Sequence, residues 1–484
     1  LKSRSRIAAI LPFDNRLRLP MSADCIVYRS RRMVFSSDDS DLSPGEIVVD
    51  KGTGKVVAAR RELCDAASSG IDIVDFGDLV VMPGLVDSHV HVNDPGRDHW
   101  ERFDCATKAA VAGGTCTIAD MPLNCIPVTT TADAVNVKIK AANGRLWADV
   151  VLLGGLVPEN ASAYALNSLL DAGVVSVKAF MCHSGIDDYK AADLHDLEAA
   201  MPILAARSVP LMVHAEMTCL DSSDSNGDGD TGDRTLYSTF LRSRPDQMEL
   251  KAITEAFLSC THCPSQFSCS TSDNCRSQGT TRSCHCRNVS PLPMLQLGGH
   301  SIWSDVVQSR CPPIRDDANR DALWKALLDG HVDMIVSDHS PSSPDQKCID
   351  SGDFMSAWGG ISGVQFRLLA VWTEGRRRGV DFSHLCRWLC EAPARLVGLQ
   401  DRKGKLAPGY DADFVVWDPE ERSQVHEVHH LHKLTPYKGM EFAGAVHATY
   451  RHGVKVYSLN ADRSGMFSPP TGNILFPLCV PIKQ

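Results

Sequence analysis

The middle of the chain alternates short apolar segments with amphipathic segments, and this alternation constrains the fold more than any other feature. Segments with strand character, such as "VVSVKAFM" and "VPLMVHAE", are separated by segments with helical spacing, such as "LHDLEAAMPILAAR". Strands that alternate with helices predict βαβ units and a parallel sheet. The alternation runs from residue 85 to about residue 395, which suits a (β/α)8 barrel of ~250 residues or more. We therefore predict an α/β fold with a TIM-type barrel.

Six of the eight barrel strands are recognisable from the sequence. The predicted strands cover 85–92, 114–122, 148–157, 173–181, 209–216 and 332–340. Strands six and seven of such a barrel should then lie between residues 217 and 331. Helices are predicted between the recognised strands, for example at 107–113, 165–173, 194–207 and 319–330.

β-rich segments flank the barrel on both sides. Residues 24–82 and 401–460 contain short strand-like runs separated by turn residues. We predict that these two pieces pair into one small β-sandwich beside a barrel at 83–400. An N-terminal extension at 1–23 and a C-terminal tail at 461–484 complete the predicted organisation.

Charge and cysteine usage narrow the class of protein. The chain of 484 residues has a formal net charge of -10, which argues against nucleic acid or an anionic membrane as its main partner. The longest apolar runs are too short to predict a transmembrane helix. Most of the 18 cysteines are scattered singly, which predicts reduced thiols instead of a disulfide scaffold. We expect a cytoplasmic protein, with the endoplasmic reticulum or another organelle left open.

Two histidines stand close together on the first predicted barrel strand. His89 and His91 are two residues apart, so both side chains face the same way. Neutral imidazoles at the C-terminal end of a barrel strand are good ligands for a divalent metal. Two surface histidines on an edge strand are the alternative reading. The Gly/Pro-rich loop that follows favours the metal reading, because barrel active sites lie at such loops.

Three more ionisable residues lie in or at the ends of apolar strands. A buried amine such as Lys178 must be neutralised or paired, and a carbamate formed with CO₂ would offer two oxygens to two metals. A lysine that snorkels from a strand end is the alternative. His214 reads alone as an ordinary core histidine. Asp338 could bind a metal and move protons, or simply cap a helix.

These residues lie in motifs that resemble the cyclic amidohydrolases, and within that family the allantoinases. The resemblance covers about 80–220 and 311–455 through "VMPGLVDSHVHVNDPGR", "GGTCTIADMPLN", "GLVPEN", "DAGVVSVKAFMCHSGI", "PLMVHAE", "PPIRDDANR", "DMIVSDHSP", "AWGGISGVQ", "GKLAPGYDADFVVWD" and "HKLTPYKGMEFAG". It implies a (β/α)8 barrel beside a β-sandwich and two zinc ions per subunit. The implied ligands are His89, His91, carbamylated Lys178 as the bridge, His214 and Asp338. The implied reaction is hydrolysis of a cyclic amide by a metal-bridging hydroxide, with Asp338 moving the proton.

Two loops distinguish substrates within the family. Dihydroorotases resemble the first loop but carry an arginine, which pairs with the substrate carboxylate, in place of Asn93. A neutral asparagine suits an uncharged ureido-hydantoin such as allantoin. Hydantoinases and dihydropyrimidinases lack the loops "DPGR" and "WGGISG". The predicted substrate-binding residues are Asn93, Arg97, Gly359 and Gly360, the glycines because they let backbone approach a ligand.

The resemblance therefore favours hydrolysis of allantoin to allantoate, a step of purine and ureide catabolism. A hydantoinase-like, dihydropyrimidinase-like or dihydroorotase-like activity is the alternative within the family. The expected partner is a small-molecule substrate, and a homo-oligomer is also expected.

Residues 260–310 depart from the family pattern. From 261 to 310 there is no Lys or Glu but ten Ser. A zinc knuckle of Cys260, Cys263, His285 and Cys286 and a disulfide cluster are two alternatives. A one-base shift of reading frame, with suitable codons, turns "THCPSQFS" into LIAHLSS and "CRNVSPLPM" into VETCPHYL, the two family motifs that the chain lacks.

We interpret the segment as frame-shifted. A chain altered in this way lacks the sixth-strand metal histidine and two barrel strands. An inactive amidohydrolase-like protein is therefore a further hypothesis for the chain as printed.

Overall fold

The fold is that of a computed structural model. It describes residues 24–63, 71–218, 232–259, 267–269, 286–289, 306–425 and 427–476. The predicted N-terminal extension and most of the cysteine-rich segment lie outside these residues, as does the end of the predicted tail.

Strands and helices alternate through the middle of the described chain. The strands are β1 (Cys25–Met33), β2 (Ser43–Asp50), β3 (Lys55–Arg60), β4 (Asp72–Asp75), β5 (Val80–Pro83), β6 (Leu85–Val90), β7 (Thr115–Asp120), β8 (Asp149–Leu152), β9 (Gly154–Gly155), β10 (Val177–Phe180), β11 (Leu211–His214), β12 (Phe267–Cys269), β13 (Cys286–Val289), β14 (Met334–Ile335), β15 (Phe414–Gln424), β16 (Glu441–Arg451), β17 (Val454–Leu459) and β18 (Gly465–Phe467). The α-helices are α1 (Phe103–Ala112), α2 (Ala132–Ala142), α3 (Ala163–Asp171), α4 (Leu194–Ala206), α5 (Tyr237–Ser243), α6 (Asp246–Ser259), α7 (Asp317–Leu328), α8 (Arg367–Gly375), α9 (Phe382–Cys386) and α10 (Ala392–Leu396).

Local sequence signals begin several of these helices. The side chain of Asp193 accepts a hydrogen bond from the Asp196 backbone N–H before α4, at 2.9 Å. Before α7, the side chain of Asp316 accepts a hydrogen bond from the Asn319 backbone N–H, also at 2.9 Å. Such caps satisfy backbone N–H groups that the first helical turn leaves without partners.

The two flanking β-rich segments share one sheet of nine strands. Its order is β18-β17-β16-β15-β5-β1-β2-β3, with β4 beside β1. The segments join where β5 and β15 pair antiparallel, with Val81 opposite Val416. Three aromatic side chains from strands of this sheet pack together: Tyr28, Phe414 and Tyr450. The rings of Phe414 and Tyr450 are stacked, with centroids 4.5 Å apart. The predicted pairing of the two segments is therefore confirmed, and the sheet reaches into the predicted tail through β18.

The middle of the chain forms two parallel sheets that meet at both ends. One has the order β6-β7-β8, and the other runs from β9 to β14. β8 leads into β9 through Leu153, whose N–H donates to the carbonyl of Asp120 at 3.0 Å. The other ends meet through a bridge between Val90 and His339, and the His91 N–H donates to the His339 carbonyl at 2.7 Å. The predicted α/β class with a parallel sheet is confirmed.

The prediction that the printed chain lacks two barrel strands was wrong. Residues 267–269 and 286–289 form β12 and β13, which pair in parallel with β11, with each other and with β14. Backbone N–H and C=O groups carry these ladders, and every residue except proline has both groups. A segment without apolar alternation can therefore still add short strands. The rest of the segment up to residue 305 lies outside the described residues.

Neighbouring helices cover the parallel strands from outside. α2 packs against α3, α3 against α4, and α4 against α6. Their inward-facing residues belong to one large apolar core that includes Val135, Leu166 and Leu197. Within the described ranges, none of the helices is long and apolar enough to cross a membrane.

A buried ionic network links β8 to the flanking sheet. The Lys403 ammonium donates to one carboxylate oxygen of Asp149 and one of Asp413, both at 2.6 Å. Arg451 Nη1 donates to the other oxygen of Asp149 at 2.8 Å. The Nε2 atom of His452 lies 3.2 Å from Asp149 and 3.3 Å from a carboxylate oxygen of Asp411. Breaking one member of such a network leaves uncompensated buried charge.

We expect His452 to make stability depend on pH. Burial lowers its pKa, but Asp149 and Asp411 more than offset this and raise the pKa from 6.5 to about 9. A raised pKa stabilises the folded state fully below the unfolded value, and the effect is lost as pH rises through the folded value. The free energy of unfolding, measured with urea, should therefore fall between pH 6.5 and 9 by on the order of 2 kcal/mol. His452→Gln should flatten this slope.

A matched control is His447→Gln in the same sheet. His447 also contacts a carboxylate, that of Glu421 at 2.8 Å, but it lies outside the buried network. This variant should keep the slope. A His452→Gln protein with the full wild-type slope would contradict the prediction.

Candidate active site

A cavity of about 690 Å³ opens where the parallel strands end. Its lining includes the five ionisable side chains singled out from the sequence, which are His89, His91, Lys178, His214 and Asp338. They come from β6, β10, β11 and the segments that follow β6 and β14. Parallel strands present their C-terminal ends at one edge, so residues far apart in sequence converge there.

Three of these side chains form one compact donor group. The ligand atoms of His89, His91 and Asp338 all lie within 4.8 Å of one another. Asp338 Oδ1 is 3.2 Å from His89 Nε2 and 3.8 Å from His91 Nε2. His91 Nδ1 lies 3.2 Å from the carbonyl oxygen of Leu123, which leaves Nε2 toward the cavity. Asp338 holds this place with a left-handed backbone, at φ +50°.

Burial keeps the histidines of the cavity neutral. Burial lowers the pKa of His91 to about 4, although the Asp338 carboxylate opposes the shift. Burial also lowers the pKa of His89 and of His214. A neutral imidazole is the form that binds a metal.

Arg310 is a cavity neighbour that the sequence did not indicate. It is 3% exposed, and its Nη2 donates to Asp338 Oδ2 at 3.0 Å. Burial would raise the pKa of Asp338, but His89, Arg310 and His91 together more than offset this and lower it to about 2. Asp338 is therefore ionised at neutral pH. Arg310 stands at the end of the aberrant segment, where sequence patterns were least informative.

A second group of side chains surrounds His214. The His214 ring stacks on Phe180, with centroids 4.6 Å apart and planes 8° apart. His214 Nε2 lies 2.7 Å from Glu216 Oε2, which also accepts a hydrogen bond from Arg244 Nη1 at 2.7 Å. Lys178 is fully buried, and its ammonium lies 5.2 Å from the centre of the Phe180 ring.

The donor set fits a divalent ion such as zinc. His89, His91 and Asp338 supply two imidazoles and one carboxylate, which are common zinc ligands. The buried Nδ1 of His89 has no hydrogen-bond partner within the described chain. Because Nε2 is the nitrogen that faces Asp338, Nδ1 points away from the donor group, where a water could satisfy it. For the second position, Lys178 and His214 line the same cavity.

The predicted substrate residue Asn93 lies behind the cavity wall. It is 1% exposed and has a left-handed backbone, at φ +65°. Its Nδ2 donates to the Pro341 carbonyl at 3.1 Å, and its Oδ1 accepts from Asn124 Nδ2, also at 3.1 Å. Asn124 itself lines the cavity. Arg97 donates to the Asn124 carbonyl from the other side and lies 3.5 Å from Asp188.

The two predicted glycines, Gly359 and Gly360, allow neighbouring segments to pack closely against this loop. A Cβ at Gly359 would lie 2.7 Å from the sulfur of Cys311, and a Cβ at Gly360 only 2.3 Å from the Ser340 carbonyl oxygen. Gly359 lines the cavity. Glycine at these positions is therefore needed for the approach of neighbouring loops.

Sequence reasoning missed Glu216, Arg244, Arg310 and Asn124. Glu216 follows His214 by two residues, a spacing that places both on one face of an extended segment, so this partner could have been found. Arg244, Arg310 and Asn124 come from other parts of the chain and carry no comparable local signal.

The chain matches the amidohydrolase family over residues 80–456. It is 40% identical over 410 residues to a probable allantoinase of Oryza sativa subsp. japonica, which covers 80% of both chains. It is 36% identical over 447 residues to an allantoinase of Arabidopsis thaliana, which covers 86% of this chain and 85% of the relative. Its structure resembles an L-hydantoinase (dihydropyrimidinase) from Arthrobacter aurescens with a TM-score of 0.81 at 27% identity, over 93% of this chain and 99% of the other. The match over residues 80–456, together with relatives 36–40% identical over most of the chain, shows that the chain belongs to the amidohydrolase family.

Proposed function

We propose that the protein hydrolyses the hydantoin ring of allantoin to allantoate. The observation that carries the proposal is the convergence of His89, His91, Lys178, His214 and Asp338 on one cavity. Relatives named as allantoinases match this chain over most of its length, which supports allantoin as the ring that is opened.

We propose that the two parallel sheets form a single (β/α)8 barrel with a β-sandwich beside it. Eight strand positions support this proposal when β8 and β9 are counted as one strand. The bridge between Val90 and His339 would close the ring. The sandwich would be formed by the nine-stranded sheet.

The proposed cofactor is zinc, at two positions in the cavity. His89, His91 and Asp338 would hold one ion, and His214 would contribute to the other, with Lys178 as a carbamate between them. When bound, the metal supplies a water of lowered pKa and polarises the ring carbonyl. The fully buried position of Lys178 among the ionisable side chains of the cavity supports the carbamate, because burial of a charged ammonium is costly.

Asp338 is the proposed proton carrier. Asp338 is ionised, and its Oδ2 accepts a hydrogen bond from Arg310. Its other oxygen, Oδ1, faces His89 and His91. It would accept the proton of the attacking water and pass it to the nitrogen that leaves the ring. His91 keeps its orientation through the Leu123 carbonyl.

Asn93 would act on the substrate through Asn124. Asn124 donates a hydrogen bond to Asn93 Oδ1 and accepts one from Arg97 at its carbonyl, and these bonds hold it at the cavity wall, where its side chain can meet the polar edge of a ring. A neutral amide suits an uncharged ring, which favours allantoin over dihydroorotate. A hydantoinase-like activity remains the second candidate because of the likeness to the L-hydantoinase structure.

The substrate proposal can be tested by comparing three cyclic amides as substrates: allantoin, hydantoin and dihydroorotate. With the reading frame restored across residues 261–310, the chain is expected to open allantoin faster than hydantoin or dihydroorotate, measured as kcat/KM. Verified removal of metal by a chelator should abolish turnover, and zinc should restore it. Full activity without metal would contradict the mechanism, and a preference for dihydroorotate would contradict the substrate.

The proposed surroundings of the enzyme are a reducing compartment such as the cytoplasm. Among the residues that the structure describes, nine cysteines carry free thiols, including the buried Cys116, Cys386 and Cys390. The family resemblance is also the basis on which we propose a small-molecule substrate and a homo-oligomeric assembly.

A further inference from the structure

Residues 358–360, the glycine loop, border the cavity with two consecutive residues that have no side chain. Trp358 and Gly359 line the cavity, and the sequence predicts that Gly359 and Gly360 meet the substrate. We infer that Lys347 is the positioning residue of this loop: its ammonium holds backbone carbonyls of the loop and so fixes this part of the cavity wall. The inference rests on the proposed hydrolysis of a cyclic amide, and it requires no contact between Lys347 and the substrate.

The Lys347 ammonium is buried among backbone carbonyls. Lys347 ends a short 3-10 helix, Pro344–Lys347, and is 4% exposed. Its Nζ donates hydrogen bonds to the carbonyl of Trp358 at 2.8 Å, to the carbonyl of Gly360, and to the carbonyl of Ser309 at 3.1 Å. An ammonium has three donors and no acceptor, so it can serve all three carbonyls at once. Lys347 therefore joins the glycine loop to the segment around residue 309.

Backbone hydrogen bonds extend this anchor along the glycine loop. The Trp358 N–H donates to the carbonyl of Gln346, the residue before Lys347, at 2.8 Å. The Gly360 N–H donates to the Ser309 carbonyl at 2.9 Å, so that oxygen accepts from both Gly360 and Lys347. Gly359, which lines the cavity, thus lies between two anchored residues.

Adjacent glycines give the loop a backbone that needs an anchor from outside. Glycine has the greatest conformational freedom of all residues and loses the most entropy when it is fixed. Residues with a side chain do not fit, because a Cβ at Gly359 would lie 2.7 Å from Cys311 Sγ, and one at Gly360 only 2.3 Å from the Ser340 carbonyl oxygen. Backbone carbonyls are present whatever the side chain is. Lys347 can therefore restrain the loop without adding bulk to it.

A role in stability alone is the alternative for a buried lysine of this kind. Lys433 offers a comparison, since its Nζ also donates to backbone carbonyls, those of Val428 and His430. None of these three residues belongs to the described lining of the cavity. Lys347 differs because two of its carbonyl acceptors belong to the loop at the cavity wall. Loss of its ammonium should leave buried carbonyls unsatisfied and change the cavity as well as the stability.

The kinetic test is Lys347→Met in the frame-restored chain, because methionine keeps most of the side-chain length and removes the donors. Restoring the frame can change the residue at position 309 but keeps its backbone carbonyl. We expect KM for allantoin to rise about 10–100-fold, the effect of losing buried hydrogen bonds to a charged group, with a smaller change in kcat. Zinc content should not change, since the proposed metal ligands lie on other segments.

Lys433→Met is the matched control and should keep the wild-type KM and kcat. A folded Lys347→Met protein with an unchanged KM would contradict the inference. So would a loss of zinc that accounts for the loss of activity.

Chemical rescue separates the effect of the ammonium from a general loss of stability. In Lys347→Ala, methylammonium can enter the space that is left and offer three N–H donors to the same carbonyls. We expect it to lower KM by about fivefold or more. Tetramethylammonium has the same charge but no N–H donor, and it should have no effect. Equal effects of the two cations would indicate a salt effect and would overturn the inference.

Amide hydrogen exchange tests the anchor without any measurement of activity. Peptides that cover residues 357–362 should exchange about 10-fold faster in Lys347→Met than in the wild type, because local opening becomes easier. Lys433→Met should leave this exchange unchanged. If Lys347→Met fails to fold, reductive methylation of the wild-type chain is the second measurement. Lys347 should then react far more slowly than the exposed Lys325, and equal rates would contradict the inference.

These measurements also separate the inference from the proposed function. If the wild type opens no cyclic amide but exchange and methylation follow the expected pattern, the proposed function fails and the anchor stands. If allantoin is hydrolysed and Lys347→Met changes neither KM nor the exchange of residues 357–362, the proposed function stands and the positioning role of Lys347 is wrong.

Discussion

Restoring the reading frame across residues 261–310 is expected to raise allantoin hydrolysis by about 10³-fold, since a metal centre contributes several kcal/mol to the transition state. The printed chain should express poorly and bind at most one zinc ion tightly. The ion proposed at His89, His91 and Asp338 would keep three or more ligands with carbamylated Lys178. The second proposed ion would keep only Lys178 and His214, whereas three protein ligands are usual for a catalytic zinc.

Zinc content per chain and turnover of the two proteins would check this prediction. Three histidines of the segment lie outside the described residues and are expected to replace the missing one only by accident: His262, His285 and His300. Sequencing the transcript across residues 255–315 is an independent check. If the printed chain held two zinc ions and turned over allantoin normally, the frame-shift account would be wrong, and the cysteine-rich segment would be a working insert.

Replacing Lys178 with alanine in the frame-restored chain is expected to abolish binding of the zinc pair and to reduce turnover by about 10³-fold or more. The physical reason is the loss of the proposed bridging carbamate, for which no other buried amine lines the cavity in the described part of the chain. Short carboxylic acids such as acetate can occupy the space that is left and should restore part of the activity. Zinc content and turnover with and without acetate would check this.

Lys138→Ala is a matched control for the loss of a buried lysine. Lys138 is 1% exposed and paired with Asp120 at 2.8 Å, but it lies outside the cavity lining. This variant should be destabilised, keep its zinc, and gain no activity from acetate. Normal zinc content in Lys178→Ala would falsify the bridging role.

Much of the fold could be predicted because its signals are local. Apolar runs and helical spacing placed β6, β7, β10 and β11 within a few residues of their observed positions. The short strands β12 and β13 were missed. Their ladders depend on the neighbouring strand backbones, and three or four residues carry too little side-chain pattern to reveal them.

The candidate site likewise has a part that could be predicted from the sequence and a part that could not. His89, His91, Lys178, His214 and Asp338 stood out because each is an ionisable group at an apolar strand, and burial of such a group requires a reason. The sequence by itself determined these residue types and their order along the chain. The tertiary structure alone decided which partners they meet.

Contacts between distant parts of the chain are set by the parallel register of the strands and by the loops beyond their ends. Arg244 bonds with Glu216, and Arg310 bonds with Asp338, although each pair is separated by 28 residues in the sequence. Asn93, predicted to bind substrate, instead bonds with the Asn124 side chain and the Pro341 carbonyl. A sequence records each of these groups separately. Their distances, and therefore the charge of Asp338, exist only after the strands have brought these groups together.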